Sequence, residues 1–197
     1  MDQYQTIDQL VSWLRDTLVA QELKTRCDHT TDGRETLGLY LGEKRKSSGR
    51  SGQIAQVDIL VCNEDKRTVE LIIEVQPNPN PKALVSQILP VLLADNYTPS
   101  YSYGPPYAIR DTVVIVVTET SGKDGSQKAE QLGAIRSAIC DKFDLPSFGV
   151  RNIYICSGHD QDSAVAACKA AIESEIGHFQ MNKASIVVAN SCEKGNK

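Results

Sequence analysis

Two strand-like runs, residues 53–61 and 69–76, each hold acidic residues inside an apolar, β-branched stretch, and few folds tolerate that combination. An ionised carboxylate in apolar surroundings is costly unless it is paired or binds a metal. Asp58 and Glu74 therefore need partners. The polar stretch from Asn63 to Thr68 reads as the loop of an antiparallel hairpin. Folding about its middle sets Asp58 opposite Glu74, within about one residue of register. Side chains alternate along a strand, so Glu74 and Gln76 share a face. Two carboxylates and an amide are expected to converge on one spot.

The rest of the chain supplies the frame. Thr6-Ile7-Asp8-Gln9 has the form of a capping box, and Ile7, Leu10, Val11, Leu14 and Leu18 recur at helical spacing. The spacing predicts a helix to about Lys24, with Glu22 one step further along the same stripe. Residues 36–42 read as a strand, followed by a Gly/Ser-rich loop carrying Lys44, Arg45, Lys46 and Arg50 and then by the acidic hairpin. Pro81 can open a helix through about Asp95, kinked at Pro90. Residues 112–118 are apolar throughout, as expected of a central strand covered on both faces. A helix over 126–143, a strand over 151–156 and a last helix marked by Val165, Cys168, Ile172 and Ile176 complete the pattern. This predicts one α/β domain over residues 1–183, a mixed central sheet flanked by helices in the order αβββαβ with a C-terminal αβα extension. Residues 184–197 form a tail that can add a short edge strand before order is lost.

Val57-Asp58 and Glu74-Val75-Gln76, set in that order of elements over residues 6 to 177, resemble the PD-(D/E)XK nuclease superfamily, the restriction-endonuclease-like fold. The resemblance implies a DNA endonuclease. Its Mg2+, with Mn2+ as a substitute, would be held by Asp58, Glu74 and the carbonyl of Val75, with Glu22 from the first helix as a third carboxylate. Gln76 stands where that superfamily usually has a catalytic lysine, and it can orient a water without supplying charge. Lys82, at the start of the next helix, is the residue that could supply an ammonium from a displaced position; the plainer reading is an exposed lysine at a helix start. Glu22 likewise has a plainer reading, as a flanking charge that reaches water. Lys44, Arg45, Lys46 and Arg50 would contact a phosphate backbone, or else form a solvated loop. Many enzymes of the superfamily dimerise to cut both strands, so a homodimer is also implied. Two alternatives stay open: a nuclease-like module that binds nucleic acid or protein without cutting, and an unrelated α/β protein whose carboxylates form a structural pair.

A net charge of −4 argues against a surface that grips nucleic acid everywhere, because phosphate contacts supply most non-specific affinity. No apolar run has the length of a membrane span, and the first residues lack the pattern of a secretory signal, which places the expected site of action in the cytoplasm without a membrane partner. The six cysteines have no CxxC spacing and read as reduced core thiols. Tyr97, Tyr101, Tyr103 and Tyr107 could stack on bases, but packing over the sheet is the better reading. Ser157-Gly158-His159-Asp160 reads as a helix cap, since a triad needs side chains from separate elements.

Overall fold

A computed structural model of the chain describes residues 1–18, 23–28, 36–42, 52–77, 80–99 and 105–175. Within them lies a mixed sheet between helices. The first helix, α1 (Gln3–Leu18), buries the expected stripe of Ile7, Leu10, Val11, Leu14 and Leu18. It starts earlier than Thr6, because Asp2 Oδ1 accepts the Gln5 N–H at 3.1 Å and Thr6 itself is buried inside the first turn. It also stops earlier than Lys24. Residues 23–27 form strand β1 (Leu23–Cys27), whose antiparallel pairing with a later strand overrides the helical spacing of its residues.

Strand β2 (Gly38–Tyr40) and strand β3 (Gln53–Gln56) pair with each other. The run read as one strand over 53–61 is broken at Val57 and Asp58. It resumes as β4 (Ile59–Asn63), which pairs with β1 on one edge and with β5 (Thr68–Gln76) on the other. The hairpin expectation holds, with Ile59 opposite Ile73 and Leu60 opposite Ile72. Continuing that register by one residue brings Asp58 opposite Glu74.

Helix α2 (Pro81–Leu92) opens as expected with Pro81 in its first turn, and its Lys82 N–H is capped by Asn80 Oδ1 at 2.9 Å. Pro90 lies inside it, near the end, where little helix remains to disrupt. After β6 (Asn96–Tyr97) comes β7 (Tyr107–Glu119), thirteen residues long, well beyond the predicted 112–118. Tyr97 and Tyr107 are buried in these strands with ring centroids 5.7 Å apart, so they pack rather than await bases; Tyr101 and Tyr103 lie outside the described residues. Helix α3 (Gly125–Lys142), a short 3-10 turn (Leu145–Phe148), β8 (Val150–Gly158) and helix α4 (residues 161–175) follow.

The sheet runs β1-β4-β5-β7-β6-β2-β3, and β8 also pairs with β7. β1, β4 and β5 are antiparallel neighbours, whereas β5, β7 and β8 are parallel, so the sheet is mixed. β1 therefore takes the place beside the acidic hairpin that the reading gave to residues 36–42. Two apolar cores cover the two faces. One joins α1 and α4 to Ile59, Ile73, Val75, Ile115 and Val117. The other joins α2 and α3 to Leu60, Ile72, Val114 and Val116. Cys27, Cys62, Cys140, Cys156 and Cys168 are free thiols, four of them buried, as read; Cys192, Ile176 and the whole tail 184–197 lie outside the described residues.

Candidate functional site

The break between β3 and β4 is what aims Asp58. Leaving the strand there turns its carboxylate toward β5, where Oδ2 accepts the Val75 N–H at 2.8 Å and Oδ1 accepts Gln3 Nε2 at 3.2 Å. The Asp58 carbonyl accepts the Asp28 N–H at 3.1 Å, which ties the end of β1 to the same turn. Glu74 is buried beside it, 6% exposed, close enough for the Asp58 carboxyl to act on its ionisation. Burial first, then the charges of Asp58 and Asp28, push Glu74 well above the ordinary carboxylate range.

Gln76, half-buried, ends β5 on the same face as Glu74. Val75 faces the opposite core, and its amide is the donor that fixes Asp58. Lys82 is exposed on the first turn of α2. Gln87, further along that helix, is half-buried, with Oε1 buried and without a hydrogen-bond partner. Glu22, Lys44, Arg45, Lys46 and Arg50 all lie outside the described residues, and the helical placement from which Glu22 was read ends at Leu18. His159, Asp160 and Ser163 form a cap, with Asp160 Oδ1 accepting the Ser163 N–H at 2.8 Å and Ser163 Oγ accepting the Asp160 N–H at 3.1 Å.

Two residues of the site were not legible in the sequence. Gln3 precedes the expected helix start, and only the earlier start brings its amide to Asp58. Asp28 follows a strand that the helical spacing concealed; its carboxylate accepts from Gln56 Nε2 and adds negative charge near Glu74.

Among the described residues no group of three or more His, Cys, Asp or Glu side chains is placed to hold a metal. Two carboxylates are nevertheless enough for magnesium, which prefers hard oxygen ligands and normally keeps several waters. The donor set here is oxygen only. Burial and the neighbouring Asp58 charge both oppose ionisation of Glu74, and a divalent cation between the two acids would let them ionise together. Comparison with family models, with curated proteins and with solved structures returned no match. No helix among the described residues is long and apolar enough to cross a membrane.

Proposed function

We propose that this chain is a metal-dependent phosphodiesterase acting on DNA, a PD-(D/E)XK-type nuclease with Asp58 and Glu74 as the ligands of Mg2+ or Mn2+. The observation that carries the reading is the juxtaposition of two buried carboxyls, Asp58 and Glu74, at a break in the sheet. The order of elements supports it. With β6, β2 and β3 set aside as an antiparallel extension of the sheet beyond β7, α1, β1, β4, β5, α2 and β7 run αβββαβ, three antiparallel strands followed by one parallel to the third.

A bound divalent cation would polarise the scissile phosphate and lower the pKa of a bound water. The chain's own residues would do the rest. The Val75 N–H and the Gln3 amide hold Asp58 in one orientation, so its carboxylate needs no reorganisation on binding. The Val75 carbonyl is the further oxygen ligand that the resemblance implies. Gln76 would orient the attacking water by hydrogen bonding, without the charge of a lysine. Lys44, Arg45, Lys46 and Arg50 are the candidates for contact with the phosphate backbone. A second copy of the chain would be needed to cut both strands together.

A non-cutting binding module is the second reading, favoured by Gln76 and by the solvent exposure of Lys82, which leave the site without an evident ammonium. Plasmid nicking in Mg2+ and Mn2+, by wild type and Asp58→Ala, separates the two. The nuclease reading expects nicking that is lost in the variant while its circular dichroism spectrum is kept. Equal nicking by both proteins would overturn the site. DNA binding that persists in EDTA and weakens with salt, with no nicking by wild type, would leave the binding module.

A further inference from the structure

Thr118 is fully buried near the end of β7, and its hydroxyl has no hydrogen-bond partner. An unsatisfied buried hydroxyl costs a fold about 1 to 3 kcal/mol, so its persistence calls for an occupant. Its neighbours say where that occupant lies. In the parallel pairing of β5 with β7, Glu74 is in register with Val116 and Gln76 with Thr118. Registered residues of parallel strands point to the same face, and neighbouring strands are about 5 Å apart. Thr118 therefore stands beside Gln76 and diagonally across from Glu74, on the face covered by α2 and α3.

We propose that Thr118 is a positioning residue of the Asp58–Glu74 site, its hydroxyl sharing with the Gln76 amide the water that the site holds. The inference rests on the metal-dependent reading above. A hydroxyl offers one donor and two acceptor positions, and an amide offers both kinds, so the two side chains can fix a water from two directions. Two neutral groups on adjacent strands thus stand in for the single ammonium that Gln76 replaces. Val114 and Val116 fill the positions below it on this face with apolar side chains.

The test is calorimetric titration of Mn2+ into wild type, Thr118→Val and Thr118→Ser, with a thermal melt of each. Valine keeps the shape and removes the hydroxyl, and its melt should be no lower than that of wild type. Loss of a hydrogen bond to the surroundings of a metal typically costs about 10- to 100-fold in affinity. Thr118→Val should weaken Mn2+ binding by that factor, and Thr118→Ser should restore it to within about threefold. A valine variant that binds Mn2+ as wild type does would overturn the role of Thr118 and leave the metal site standing. A wild type that binds no Mn2+ would overturn both. Should the valine variant fail to fold, Thr118→Ala read against Thr118→Ser gives the same comparison.

Discussion

Glu74 is where a single residue exposes the chemistry of the fold. Its carboxyl is held well above the ordinary range by burial and by Asp58, so the folded state retains a proton that the unfolded chain has released. Below the unfolded pKa the contribution is fully present; as pH rises through the folded pKa it is lost, and the protein becomes less stable. Thermal melts across that range should fall with rising pH, and Mn2+ should restore them at the alkaline end. Glu74→Gln removes the proton equilibrium. That variant should lose most of the pH dependence and should not respond to Mn2+; a melting profile as steep as that of wild type would show that Glu74 is not the titrating group. Gln76→Lys is the complementary change. An ammonium beside Glu74 should favour the ionised form, lower the pKa of Glu74 and flatten the same profile.

Among the elements, the acidic hairpin was readable because its signals are local. A polar loop lies between two apolar runs, and the register follows from folding the chain about that loop. β1 was not readable for the opposite reason. Leu23 to Cys27 continue the sequence of α1 without a breaker, and what makes them a strand is pairing with β4, more than thirty residues away. The lower part of β7 was hidden by its Pro- and Tyr-rich approach, although Tyr107 and Ile109 are buried while Ala108 and Arg110 are exposed, the period of a strand. Tyr107 now secures that region. Its hydroxyl donates to Glu64 Oε2 at 2.5 Å and accepts from Arg26 at 3.3 Å, and the Arg67 guanidinium lies over its ring at 3.7 Å. Tyr107→Phe keeps the ring and removes the hydroxyl, so urea denaturation should show a loss of about 1 to 2 kcal/mol. In α1, Leu14 is fully buried against the sheet, and Leu14→Ala should cost about 2 to 5 kcal/mol in the same assay.

For the molecule as a whole, the two cores share one central pair of strands. β5 and residues 112–118 of β7 are buried on both faces, which explains why their apolar runs were legible as central and why Asp58 and Glu74, at the margin of that region, stand out. A ligand that binds only the folded form stabilises it by mass action, about 2.7 kcal/mol at a hundred times the dissociation constant. For a chain of this size that is a rise in melting temperature of roughly 5 to 10 °C. Mg2+ or Mn2+ at saturating concentration should produce such a rise in wild type and none in Asp58→Ala. Calcium or EDTA controls run in parallel would separate site binding from general salt effects.

The hairpin that carries Asp58 and Glu74 also bears on how quickly the chain acquires its structure. Its two strands are joined by a short loop, and hairpins of this kind close in about 1 to 10 μs. The parallel pairing of β5 with β7 must wait for the α2 crossover and is intrinsically slower. The two acids therefore meet early, before the rest of the sheet is in place. At a pH where both are ionised, their repulsion should retard refolding measured by stopped-flow fluorescence of Trp13, and Glu74→Gln should remove that retardation, so the pair proposed to hold a cation would act as a brake on the chain's own assembly.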